Sequence, residues 1–345
     1  MTKRIFREGG PHKVKNMGND QYQMSIPIPE DSEGRIAREC PNDECSPAYF
    51  KVTPGTGIVD GQESIYCPYC KHNAEPDDFI TQEQLRYAKE IAVQEAQKGI
   101  DDMVKDTLGL GSSGKKKLGG GLISIEMSYK TRNRSPVRWP FEDEVRRDVV
   151  CPHCCLNQTV FGLATWCSDC GNDIFLVHLA AEIEVIRSML NDVERREQLL
   201  GRRVAAKDLE NCLEDAVSIF EASAKALVLR ALAERGMDQA GIDTAMKKIG
   251  NSFQNTDRAK SQLENLFGYK PNQYDIWEQL QHGFEKRHPV THNLGVVDKK
   301  YLERAQLAEQ EGREICISEV EIANLLDNVF SAVSDIHQEL FAPQP

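Results

Sequence analysis

Apolar residues recur at helical spacing through almost the whole second half of the chain, and alternate like strands only in short stretches of the first half. Residues 176–200 read as one amphipathic helix. Leu209, Cys212, Leu213, Ala216, Ile219, Phe220, Ala226, Leu227 and Leu232 line a second, stopped by Gly236. Ile242, Met246 and Ile249 start a shorter helix, and Leu263, Leu266 and Phe267 another. Ile276, Trp277, Leu280 and Phe284 mark the buried face of a helix that leads into Arg287. A last helix opens with the capping box Ser318-x-x-Glu321 and carries Ile322, Leu325, Leu326, Val329, Phe330, Val333 and Ile336. The pattern predicts an all-α bundle over residues 175–345, with Cys212 and Cys316 most simply placed in its core.

The first half is patterned differently. Residues 1–35 are polar and carry glycine and proline, which predicts an extended arm. Residues 48–52 and 63–66 are strand-like, with a turn at Pro54 and Gly55. The capping box Thr81-x-x-Gln84 opens a helix over residues 81–108, with Leu85, Ala88, Ile91, Ala92, Ala96, Ile100, Met103 and Val104 at helical spacing. Glycine, serine and lysine dominate residues 109–121, which predicts a flexible linker and a domain boundary. Residues 122–130 alternate as a strand, and residues 158–161 form another short one.

Cysteine spacing adds chemistry to these short strands. Of 11 Cys, eight fall into two sets. Cys40-x4-Cys45 and Cys67-x2-Cys70 are separated by 21 residues, and Cys151-x2-Cys154 and Cys167-x2-Cys170 by 12. Paired cysteine turns joined by short strands can bring four thiolates around one zinc ion, in a segment too small to hold a core of its own. The expectation is therefore two structural zinc ions per chain, in one zinc ribbon over residues 36–80 and a second over residues 122–174 with its leading strand. His153 and Cys155 are further candidates in the same turn, although the two paired turns already close a four-coordinate site. The fold class is multidomain: two small β zinc ribbons followed by an all-α helical bundle.

Composition narrows the setting. Cysteines grouped for metal rather than evenly paired imply a reducing compartment, and neither a secretory signal nor an apolar run long enough for a membrane span is present, so a cytoplasmic protein without a membrane partner is expected. The net charge of −12 argues against a broad electrostatic surface for nucleic acid. Local basic stretches at 3–15 and 130–147 could still guide a phosphate backbone, and the plainer reading of them is solvated surface.

The remaining candidate chemistry is Arg287-His288-Pro289-Val290-Thr291-His292-Asn293, continuing through Gly295 and Asp298 to Tyr301. A guanidinium offers a fixed fork for phosphate, and an imidazole exchanges protons near neutral pH. Two other Arg-to-His spacings, Arg7 to His12 and Arg147 to His153, lack helical surroundings and are set aside. The helices of the second half, with Arg287, polar His288, three residues and His292, resemble a HEPN domain (higher eukaryotes and prokaryotes nucleotide-binding), and the likeness covers roughly that half of the chain. The resemblance implies a metal-independent endoribonuclease, often a toxin or an antiphage defence effector. By it, His292 acts as general base or acid, Arg287 stabilises phosphate charge, and His288 orients the substrate or the other two. Five positions on a helix turn side chains by about 140°, so Arg287 and His292 do not share a face. A homodimer that joins two such pairs in a composite site, as nucleases of this family do, is therefore expected. Pro289 departs from regular helix, since it deletes a backbone hydrogen bond.

Two functions remain in view. One is a dimeric ribonuclease whose ribbons recognise RNA, a partner protein or an invader-derived signal. The other is a non-enzymatic adaptor, with binding ribbons on an inert helical dimerisation domain. Intact Arg287, His288 and His292 favour the first, whereas the acidic total and the lack of an evident aromatic and basic RNA platform favour the second.

Overall fold

A computed structural model describes residues 5–6, 8–19, 21–110, 114–119, 125–131, 136–141, 143–305 and 309–341. Parts of the expected linker (111–113, 120 and 121) and of the strand leading the second ribbon (122–124) lie outside them. The described residues fall into two compact units: one up to Phe161 with Cys167–Gly171, the other Gly162–Trp166 with Asn172 onward.

The first unit begins with a hairpin of β1 (Lys15–Gly18) and β2 (Gln21–Gln23), where an extended arm was expected. Gly18 and Asn19 both adopt positive φ there, a turn that the polar composition conceals. Next come β3 (Ile36–Glu39), β4 (Tyr49–Val52), β5 (Ile65–Tyr66), β6 (Asn73–Ala74) and the single long helix α1 (Gln82–Thr107). The hairpin β7 (Lys115–Leu118) and β8 (Ile125–Ser128) follows, then β9 (Arg147–Val150) and β10 (Asn157–Val160). Four strands form one antiparallel sheet in the order β3-β4-β10-β9. Lys51 of β4 stands opposite Thr159 of β10, so the strands of the two cysteine modules are hydrogen-bonded neighbours. The 109–121 segment thus falls inside a unit that contains both modules.

Phe50 and Val52 bury one side of β4, and Phe79, from a 3-10 turn, meets Phe50 edge-on at 6.0 Å. Helix α1 starts where predicted: Thr81 accepts from the Gln84 N–H, and the Gln84 side chain accepts from the Thr81 N–H and donates to the Ala37 carbonyl. One capping pair therefore both starts the helix and ties it to β3.

The second unit is helical: α2 (Phe175–Asn191), α3 (Val193–Leu200), α4 (Arg202–Glu234), α5 (Gln239–Ile249), α6 (Thr256–Phe267), α7 (Tyr274–Asn293), α8 (Lys299–Ala305) and α9 (Glu319–Phe341). The stretch expected as one helix over 176–200 breaks at Asp192, whose carboxylate engages Arg195. There the Asp192 N–H returns to the Met189 carbonyl at 3.2 Å, a tighter i→i−3 bond that periodicity alone does not register. Leu179, Phe220, Leu227, Trp277, Leu326 and Val329 belong to one continuous apolar core. Its central helix is α4, with Phe220 edge-on to both Trp277 and Phe284. Helices α7 and α9 approach closely at Gly283, where a Cβ would come within 2.6 Å of Leu325. Cys212 is buried as expected, but Cys316 is exposed: it lies in the loop before α9, and its carbonyl accepts from Lys286.

Candidate metal centres and the Arg287–His292 turn

Each cysteine set converges. In the first, Cys40 and Cys70 lie 3.7 Å apart sulfur to sulfur, and Cys45 and Cys67 3.6 Å. In the second, Cys151 and Cys170 are 3.7 Å apart, and Cys154 and Cys167 3.5 Å. Within each set all four sulfurs lie within 4.8 Å of one another. A tetrahedron with metal–sulfur distances of about 2.3 Å has edges of about 3.8 Å, so both sets fit a four-thiolate metal shell. The two centres are Cys40, Cys45, Cys67, Cys70 and Cys151, Cys154, Cys167, Cys170.

Three of the four turns share one backbone device. Lys71, Cys155 and Gly171, each directly after the second cysteine of a C-x2-C pair, adopt left-handed φ of 60°, 63° and 65°. Each donates its N–H back to the carbonyl of the first cysteine, at 3.1, 2.9 and 3.0 Å. Inside these turns the N–H groups of Tyr69 and His153 point at the sulfurs of Cys67 and Cys151, both at 3.4 Å. Such donors favour the thiolate over the thiol. Gly171 is doubly constrained, because a Cβ would also meet the Tyr66 ring at 2.9 Å. Cys155 is therefore the residue that closes a turn, exposed and outside the four-sulfur group, and His153 lies outside that group as well.

Acidity in the sets is unequal. Hydrogen bonds from Cys45 and Cys67 hold Cys70 down to about 2, whereas Cys67 is pushed far up by those shared with Cys45 and Cys70 and by burial. Burial likewise pushes Cys154 up to about 11 and raises Cys167 further. Four thiols packed this closely cannot all ionise on their own, and a bound dication supplies the missing charge.

Spacing gave no hint of Tyr69. Its hydroxyl donates to the Tyr49 carbonyl and accepts from the Phe161 N–H, both at 2.9 Å. A residue of the first metal turn thereby joins strands of both modules. Burial makes its hydroxyl less acidic than an ordinary phenol.

The Arg287–His292 stretch forms the last two turns of α7, anchored by buried Trp277, Leu280, Phe284 and Val290. His288 and His292 lie one turn apart, with ring centroids at 5.0 Å. His292 is exposed, and Arg287 is half-buried. The Arg287 Nε is enclosed without a hydrogen-bond partner among the described residues. Thr291 donates to Glu214 of α4 at 3.2 Å. Pro289 is buried within the helix and has no N–H for the carbonyl of Glu285, yet α7 runs on to Asn293. Leu294 then turns left-handed with φ 52°, and the N–H groups of Leu294 and Gly295 return to the Pro289 carbonyl. Asp298 accepts the Tyr301 N–H at 2.8 Å and starts α8. Tyr301 itself is fully buried, its hydroxyl made less acidic by burial and by Glu309. Of the motif, Asp298 and Tyr301 therefore position the turn, while His288 and His292 form its paired outer edge.

No family model matches the chain, and no curated protein or solved structure matches it. Among the described residues no helix is long and apolar enough to cross a membrane.

Proposed function

We propose that the protein is a zinc-binding endoribonuclease of HEPN type, active as a homodimer in a reducing compartment and acting as a toxin or antiphage effector. The observation that supports this best is the paired His288 and His292 on the outer edge of α7, beside a guanidinium whose Nε has no partner among the described residues. The substrate brings its own nucleophile, the ribose 2′-hydroxyl. His292 takes the proton as the 2′-oxygen bonds to phosphorus, and the 5′-oxygen leaves with a proton delivered by an acid. Arg287 stabilises the charge that gathers on the phosphoryl oxygens, and His288 orients His292 or the substrate. The products are a 2′,3′-cyclic phosphate and a free 5′-hydroxyl. Zinc in both four-cysteine centres holds the ribbon unit together and takes no part in cleavage.

The test is cleavage of single-stranded RNA in EDTA, with both metals retained. Wild type should cut, DNA should resist, and His292→Ala should lose at least about 100-fold in rate while metal content and melting temperature stay unchanged. Arg287→Lys should lose most activity, since an ammonium cannot reproduce the fork. RNA cut by His292→Ala at the wild-type rate would leave the adaptor reading, a binding protein with an inert helical domain, as the better account.

A further inference from the structure

Trp139 and Phe141 are 70% and 73% exposed, unusual for large aromatic side chains. The backbone that carries them is fixed from one side by α1. Arg86 donates to the Trp139 carbonyl at 3.3 Å, the Phe141 N–H donates to Glu83 at 3.2 Å, and the Arg138 N–H to Glu90 at 3.4 Å. The main chain is thus pinned while both rings face solvent. An open groove of about 940 Å³ runs along α1 on one side of Trp139, and a smaller one of about 350 Å³ lies beside Trp139 and Pro140. Lys89 and Arg138 line the larger groove. Arg86, which engages Glu83 and Glu90 at 2.9 and 2.6 Å, gives that groove three cations against two carboxylates, whereas Glu30 and Asp31 line the smaller groove.

We infer that Trp139 and Phe141 form a stacking platform for single-stranded nucleic acid. Unpaired bases expose flat faces that stack on aromatic rings whatever their sequence, and flanking cations follow the phosphate backbone. A duplex hides those faces, and a polyanion without bases has none. The cationic excess of the larger groove favours a polyanion over a basic peptide on that side of Trp139. Stacking is indifferent to the 2′-hydroxyl, so single-stranded RNA and DNA are both ligands here. This platform is separate from Arg287 and His292, and binding to it does not depend on the nuclease reading.

Tryptophan emission tests the inference directly, because the other two of the three tryptophans, Trp166 and Trp277, are buried at 8% and 1% exposure. Full-length His292→Ala protein is titrated with a labelled oligouridylate of about a dozen nucleotides, with the matching DNA, with a duplex and with polyglutamate. Oligouridylate and DNA should quench the exposed emission and raise the label's anisotropy together, and affinity should fall steeply with salt. Trp139→Ala should weaken binding about tenfold. Trp139→Phe should retain binding and lose the quenching, which separates stacking from a folding defect. Unchanged emission at saturating oligonucleotide, equal binding of polyglutamate or duplex, or wild-type affinity in Trp139→Ala would each overturn the assignment. Binding without cleavage by wild-type protein would leave the platform standing and remove only the nuclease reading.

Discussion

In the sheet unit the central strands bury polar side chains among apolar ones: Lys51 lies between Phe50 and Val52, and Gln158 and Thr159 precede Val160. In the helical unit Phe220, Leu227, Trp277, Leu326, Val333 and Ile336 share one unbroken apolar cluster. The sheet's strands are four residues long, and its eight converging cysteines sit at the strand ends and turns. Small β modules with so little apolar burial depend on metal to hold their loops, whereas a bundle of this size is held by packing. One unit carries the ligands for metal cross-links and the other is packed, and the two should fail under different insults.

Metal removal should separate them most widely. Each four-thiolate zinc site carries on the order of 10 kcal/mol of binding free energy at neutral pH, more than a small sheet can lose and stay folded. A strong chelator under reducing conditions should make the sheet unit protease-sensitive while the helical circular dichroism of residues 175–341 persists. Simultaneous loss of both signals would show that the helices also lean on metal.

The reverse experiment is a cavity in the bundle. Trp277 is 1% exposed, and Trp277→Ala should destabilise the helical transition by about 4 kcal/mol and leave two metals per chain. Thermal melting with metal analysis of the same sample checks both halves of this expectation.

A smaller effect tests the polar fastening of the helical unit. Burial alone would raise Asp173, but His337 at 3.0 Å, the Phe175 N–H at 2.9 Å and Arg230 at 2.5 Å hold its carboxyl well below the ordinary range. Arg230 is itself stacked over Trp166 and Phe341. A carboxyl depressed in the folded state stabilises above its unfolded value of about 4, and that contribution fades as pH falls below it. Asp173→Asn should therefore cost about 2 kcal/mol at neutral pH, with the gap from wild type closing under acid. A gap that stays constant down to pH of about 2 would assign the effect to packing rather than charge.

Much of this architecture is readable from local rules. Cysteine spacing carries both metal sets, because turns that bring two thiolates together need few residues. Helical periodicity carries the bundle, and the boxes Thr81-x-x-Gln84 and Ser318-x-x-Glu321 both form. What escapes is nonlocal or conformational. The pairing of β4 with β10 joins residues more than 100 positions apart, and no pattern within either strand names its partner. The break at Asp192 is marked by an i→i−3 backbone bond, and Cys155 is set apart from the ligand cysteines by a left-handed φ and by exposure. Trp139 and Phe141 lie in a stretch with no period, so exposure could not be inferred from alternation, and the platform went unread. The half-burial of Arg287 depends on contacts that the spacing of a motif does not encode.

Because Val52, Lys51 and Phe50 of β4 pair with Gln158, Thr159 and Val160 of β10, the two four-cysteine centres are built on a common sheet. Whatever ordering one ion imposes on its strands is inherited by the strands that frame the other. A metal ion bound at one centre would then be an effector of the other, and by reciprocity the help would run equally in both directions. Metal titration should therefore give filling steeper than two independent sites allow, with half-loaded chains scarce. A single lost cysteine is paid for twice, once at its own centre and once at a centre whose ligands are all intact.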